Sequence, residues 1–150
     1  MARILIADDD AEIRQMLVIA LVEQGHEVAA VGEGLKVVAA LGEVTPDLIL
    51  LDVMMPNQDG YEVLEKLNDS GLRDLTRVLV LTAGGSEHDA SRGFELGADA
   101  YATKPLDPDE VVRQVEGLLA LSREELKASR EREMDRSRLL SQLESILGEG

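Results

Sequence analysis

The sequence predicts an α/β fold, a doubly wound five-stranded parallel sheet followed by an extended C-terminal helix. Two observations carry that expectation. Along residues 1–121, short apolar runs alternate with stretches of helical spacing, the pattern of consecutive βαβ units joined by right-handed crossovers. Several of the runs also stop abruptly at a polar or charged residue, most plainly Leu48–Leu51, which ends at Asp52. Side chains at strand carboxyl ends converge on the crevice where open parallel sheets hold ligands.

Taken in order, Arg3–Ala7 (RILIA) is the first strand and leads directly into Asp8, Asp9 and Asp10. Asp10 suits a helix N-cap. From Ala11 to Gln24, Ile13, Leu17, Ala20 and Leu21 share one helical face, and Gly25 closes the helix as a C-terminal glycine does. Glu27–Val31 is the second strand, and Leu35, Val38, Ala39 and Leu41 mark a short helix over Gly34–Leu41. Thr45-Pro46-Asp47 punctuates before the third strand, Leu48–Leu51, whose unbroken apolar run indicates burial on both faces. A Pro-Asn-Gln-Asp-Gly turn then precedes a helix over Gly60–Leu67, with Asp59-Gly60 read as turn chemistry. Arg77–Leu81 is the fourth strand and runs into Thr82; Glu87–Leu96 is a more polar helix closed by Gly97. Ala100–Thr103 is the fifth strand, followed by Lys104-Pro105, and a long helix begins near Pro108, where proline suits the first turn.

Composition narrows the function. Aromatic residues make up 2% of the chain, so its core must be aliphatic. There is no Cys, which excludes disulfides, thiolate metal sites and a Cys nucleophile. The opening MARILIADDD lacks an apolar run long enough for a signal peptide, and Met16–Val22 is too short to cross a bilayer, so a cytoplasmic protein with no membrane partner is expected. Residues 1–121 carry 9 Lys+Arg against 23 Asp+Glu. Phosphate backbones repel such a surface, and direct nucleic-acid binding by this chain is not expected. His26 and His88 have no partners at ligand spacing and receive no catalytic or relay role, and Asp99 reads as a surface acid.

The strand ends bring together Asp8 and Asp9, Asp52, Thr82 and Lys104. Three carboxylates in one crevice repel one another unless a cation lies among them. Oxygen ligands without His or Cys select a hard ion, with Mg²⁺ the natural choice. Lys104 supplies one mobile positive charge, for a phosphoryl oxygen or for Asp52 itself, and the Thr82 hydroxyl can donate to one more oxygen. With the incoming group so neutralised, a carboxylate is a competent nucleophile for phosphorus. The chemistry indicated is phosphoryl transfer to Asp52.

These residues carry a family resemblance. ILIADDD, LILLDVMMPNQDG, VLVLTA and GADAYATKP occur in the order and at the strand ends of the response-regulator receiver domain of two-component signalling, which the chain resembles from about Arg3 to about Leu121. The resemblance implies a flavodoxin-like sheet of order 2-1-3-4-5. It makes Asp52 the phosphoacceptor, and Asp8, Asp9, Asp52 and the backbone carbonyl of Met54 the Mg²⁺ ligands. It places Thr82 and Lys104 on the phosphoryl group and a cis peptide at Lys104-Pro105. Thr82 and Tyr101 become a coupled switch that alters the surface shared by the 87–96 helix, the fifth strand and the helix from Pro108. Thr82 would shift as the Gly84-Gly85 loop allows, and the Tyr101 ring would fill the space. The implied donor is a histidine kinase and the implied target an output domain or downstream protein. Met54 and Gly84, two residues past Asp52 and Thr82, carry no acid or amide to position a water, so slow self-dephosphorylation is expected.

Two rival readings are weaker. An aspartate-based phosphatase of the haloacid-dehalogenase type wants a second acid two residues after the nucleophile, where this chain has Met54, and no P-loop occurs. A scaffold in which Lys104 merely pairs with Asp52 has no need of the whole set. A switch, not a turnover enzyme, is the expectation. Past Leu121, residues 122–150 contain no Gly or Pro before Gly148 and continue the helical periodicity. Val112, Leu119, Leu126, Leu140 and Leu147 recur at seven-residue steps broken by Glu133, while the companion positions are mostly polar, a poor coiled-coil seam. A helical linker toward an output module beyond residue 150 is expected, with homodimer contacts through it or through the 87–96/Pro108 helix face.

Overall fold

The computed structural model describes residues 2–43, 45–53, 60–71, 76–82 and 98–148. In chain order these hold β1 (Arg3–Ala7), α1 (Ala11–Glu23), β2 (Glu27–Val31), α2 (Gly34–Glu43), β3 (Leu48–Asp52) and α3 (Gly60–Ser70), then β4 (Arg77–Thr82), β5 (Ala100–Thr103), α4 (Pro108–Ala120) and α5 (Arg123–Gly148). The strands form one parallel sheet in the order β2-β1-β3-β4-β5, the expected doubly wound arrangement. The helix expected over Glu87–Leu96 and the Gly84-Gly85 loop lie outside the described residues.

Strand periodicity explains the uninterrupted apolar runs. Ile4, Leu48, Leu50 and Leu79 point to the layer shared with α1 and α4, and Leu5, Ile49, Leu51 and Val80 to the layer that includes α2 and α3 residues, so alternate residues of each central strand are buried on opposite faces. The edge strand β2 is mostly exposed, and its small, mixed sequence EVAAV reflects that position. Local signals behave as read. The Asp10 carboxylate accepts from the backbone N–H groups of Glu12 and Ile13 as the α1 N-cap, and Gly25, with φ +88°, provides the left-handed residue that ends the helix.

The tail is helical, as expected, but it is not a prolongation of the helix before it. Leu121 adopts an extended conformation that ends α4. A new helix starts from a capping box in which the Glu125 N–H donates to Ser122 Oγ and the Ser122 N–H donates to Glu125 Oε1. Arg77 fastens this corner: its Nε donates to the Leu118 carbonyl and its Nη2 to the Leu121 carbonyl, both at 2.8 Å, which satisfies carbonyls left open at a helix end. The first turns of α5 then dock, with Leu126 at 4% exposure joining the α1/α4 layer.

Asp99 is not a surface acid. Its side chain is 1% exposed, accepts from the Val78 N–H at 2.8 Å and pairs with Arg130 of α5 through two guanidinium nitrogens. The structural reason is the tail itself, whose docking covers the start of β5. His26 is held in a comparable way: Nδ1 accepts from the Ala2 N–H and Nε2 bonds Glu116 at 2.6 Å. His88 lies outside the described residues.

Leu126→Ala should therefore destabilise the protein by about 2–5 kcal/mol, the cost of a buried leucine, whereas Leu147→Ala, at a position 79% exposed, should change stability by less than about 0.5 kcal/mol. Urea denaturation of the two variants checks this, and equal effects would contradict docking of the α5 base.

A carboxylate site at the strand ends

The site is built where β1, β3, β4 and β5 end. Asp8 follows β1 and is fully buried, Asp52 closes β3 at 1% exposure, Thr82 closes β4 and is buried, and Asp9 faces solvent. Carboxylate oxygens of Asp8, Asp9 and Asp52 lie within 4.8 Å of one another. The Lys104 ammonium enters this group from beyond β5, 3.1 Å from Asp52 Oδ2 as a hydrogen-bond donor and 2.9 Å from Asp8 Oδ2. The expected residues Asp8, Asp9, Asp52 and Lys104 are thus brought together. Met54 lies outside the described residues.

Several backbone contacts hold these groups in place. The Asp8 N–H donates to the Val31 carbonyl at 3.1 Å, the Lys104 N–H donates to the Thr82 carbonyl and the Val53 N–H to the Leu81 carbonyl. Asp8 Oδ1 accepts from the Asp10 N–H at 2.9 Å. Lys104-Pro105 is cis. Gly60 packs so closely under the β3 terminus that a Cβ there would lie 2.3 Å from the Asp52 carbonyl oxygen and 2.6 Å from Val53 Cα, so this position demands glycine for space. Tyr101, paired with Val80 across the β4–β5 ladder, is half-buried against the α2/α3 layer.

The electrostatics have a clear hierarchy. Burial disfavours the Lys104 ammonium, but its contacts with Asp8 and Asp52 and the charges of both carboxylates outweigh it, and the pKa is raised above the ordinary lysine value. One ammonium does not balance three carboxylates. The 2.9 Å contact with Asp8 Oδ2 is an ion pair to an ammonium already shared with Asp52, and that buried oxygen has no further partner among the described residues. An all-oxygen cluster with an orphaned buried carboxylate oxygen fits a hard divalent cation, and Asp8, Asp9 and Asp52 are the residues placed to hold it. Arg14, which sequence reading passed over, donates from Nη1 to the Asp8 carbonyl at 2.8 Å.

A crevice of acids at the carboxyl ends of a 2-1-3-4-5 sheet, crossed by one lysine, defines a receiver-type site. The sequence model of the response regulator receiver domain matches residues 4–116, and the chain belongs to that family. It is 41% identical over 118 residues to the DNA-binding response regulator MtrA of Mycolicibacterium paratuberculosis, covering 78% of this chain and 51% of that protein. It is 42% identical over 120 residues to the DNA-binding dual master transcriptional regulator RpaA of Synechocystis, covering 79% and 49%. Among solved structures, the chemotaxis response regulator CheY4 of Vibrio cholerae superposes with a TM-score of 0.74 at 29% identity, over 79% of this chain and 98% of that one. The chain spans about half the length of the curated relatives it matches. Receiver domains of this family act as phosphorylation-dependent switches in two-component signalling and typically use Mg²⁺.

The raised Lys104 pKa fixes a pH signature. A lysine whose folded-state pKa lies above its unfolded value stabilises fully below the unfolded value, and the contribution is lost as pH climbs through the folded one. Lys104→Met should accordingly lower the melting temperature by the same amount at pH 7 and pH 9, with the gap closing only at strongly alkaline pH. A gap that halves between pH 7 and 9 would show that the ammonium titrates lower than its surroundings imply.

Proposed function

We propose that this chain is a phosphorylation-controlled switch that accepts a phosphoryl group on Asp52 from the phosphohistidine of a histidine kinase. The observation that carries the reading is the convergence of Lys104 Nζ on Asp52 Oδ2 and Asp8 Oδ2, with the Asp9 carboxylate beside them. In the transfer, an Asp52 carboxylate oxygen bonds to phosphorus, the phosphorus–nitrogen bond to the donor imidazole breaks, and the imidazole departs with its electron pair and takes a proton. Bound Mg²⁺ would offset the charge of the phosphoryl oxygens. Asp8 and Asp9 would hold it together with Asp52; the Met54 carbonyl is the further ligand proposed by family likeness.

Lys104 leaves Asp8 and follows the new charge, and the Thr82 hydroxyl donates to another phosphoryl oxygen. The product carries about −1.5 to −2 charges on the group. Because the Lys104 N–H is bonded to the Thr82 carbonyl, the ends of β4 and β5 respond together, and Tyr101 on β5 reports the change to the surface that β5 shares with α4 and, by family likeness, with the helix expected over Glu87–Leu96. Residues 1–121 form the receiver and 122–150 a helical linker toward an output domain or partner protein. The relatives' names record DNA binding, but this acidic chain is proposed to contact no nucleic acid itself. Among the described residues no helix is long and apolar enough to cross a membrane, in keeping with a cytoplasmic switch. Leu143, Ile146 and Leu147 of α5 are exposed and favour the tail as the homodimer contact.

Intact mass after incubation with a small phosphodonor tests the chemistry. One Mg²⁺-dependent, hydroxylamine-labile phosphoryl group is expected on the wild type and none on Asp52→Asn; an adduct that survives the substitution would overturn the assignment. Release of inorganic phosphate at many turnovers would indicate an enzyme instead. The acyl phosphate should outlast minutes in the purified protein, and a half-life of seconds would contradict the role given to Met54 and Gly84.

A further inference from the structure

We infer that Arg14 is a positioning residue for the acidic site: its guanidinium, seated over Gly32, fixes the Asp8 main chain and thereby aims the Asp8 carboxylate at the cation. The inference rests on the proposed divalent-cation site. Two independent observations carry it. Arg14, in the second turn of α1, donates from Nη1 to the Asp8 carbonyl at 2.8 Å. Gly32, just past β2, lies directly against the same group, since a Cβ there would sit 2.8 Å from Nη1 and 3.4 Å from Cζ of Arg14.

The consequence for Asp8 is geometric. Its N–H is bonded to the Val31 carbonyl, at the end of β2, and Oδ1 accepts from the Asp10 N–H. With the carbonyl held by Arg14, each polar group of Asp8 except Oδ2 is tied by a hydrogen bond, and Oδ2 is left toward Lys104. A ligand oxygen whose rotation is suppressed loses less freedom when it binds a cation. Groups that orient a metal ligand in this way typically account for 10–100-fold in affinity. The guanidinium fills the space over Gly32, so a Cβ there would press on its tip and the arginine would have to shift.

Placement and charge are separable here. Gly32 has no positive φ, so Gly32→Ala is conformationally allowed and displaces the guanidinium tip from its place over Gly32 while leaving its charge in the molecule. Mg²⁺ titration of the full chain by calorimetry, with thermal unfolding measured alongside, compares wild type, Arg14→Ala, Arg14→Lys and Gly32→Ala. Roughly tenfold weaker Mg²⁺ binding is expected in both Arg14→Ala and Gly32→Ala, with partial recovery in Arg14→Lys and a Gly32→Ala melting temperature close to wild type. Wild-type affinity in Gly32→Ala would overturn the inference even if Arg14→Ala failed to fold. Tighter binding in Arg14→Ala would overturn it by showing that repulsion of the cation outweighs orientation. A wild type that binds no Mg²⁺ would remove the site reading and the inference together, whereas normal wild-type binding with unaffected variants would sink the inference alone.

Discussion

A single lysine ammonium makes this arrangement of acids possible. Asp8 and Asp52 are buried at the ends of adjacent strands, and two carboxylate charges removed from water without a cation would repel one another at high cost. Lys104 reaches Asp52 from the far side of β4, the strand between β3 and β5, across roughly two inter-strand spacings of about 4.8 Å each, and meets Asp8 coming from β1, one strand further on. A long unbranched stem ending in a compact charge can make that crossing. The rest of the sheet serves to bring the ends of β1, β3 and β5 within its reach, and the backbone bond from Lys104 to Thr82 anchors the base of the stem. The same ammonium is an imperfect solution, because one positive charge is shared between two buried carboxylates, 2.9 Å from Asp8 Oδ2 and 3.1 Å from Asp52 Oδ2, with Asp9 beside them. The site is therefore prepared for more positive charge than the protein itself supplies.

Most of this was legible in the sequence because it is written in local terms. The central strands appear as unbroken apolar runs, since both faces of each are covered, and the site residues appear at the points where those runs stop. Asp10 and Gly25 announce the two ends of α1 by type alone. What escaped is held by contacts between residues distant in the chain. Asp99 looks like any acid before a strand until Arg130, contributed by the tail, closes over it. Arg77 opens a strand, and nothing near it signals that its guanidinium caps a helix more than forty residues later. Arg14 lies on a helix among polar neighbours, and its target is a carbonyl, which has no identity in the sequence. The break at Leu121–Ser122 is different. Its capping box, Ser122 with Glu125, is a local signal, but the helical periodicity on either side ran through it and masked the change of direction.

Gly60 illustrates how a single residue can answer to two levels at once. Its position at the start of α3 is turn chemistry, while its missing side chain lets the helix begin against the carbonyl of Asp52. The main chain of Asp52 is thereby backed directly by the start of α3.

The way α5 is attached has a mechanical consequence. Among the described residues, Leu126 in the core and the Arg130–Asp99 ion pair grip the domain near one end of a helix of 26 residues. From Arg130 to Leu147 the helix extends about 25 Å at 1.5 Å per residue, with its large apolar side chains at the free end. It is a lever with a short clamped arm and a long one. A tilt of about 5° at the clamp would carry Leu147 through about 2 Å over that length, so a displacement of β5 too small to disturb the core becomes a movement large enough to align or separate side chains at the tip.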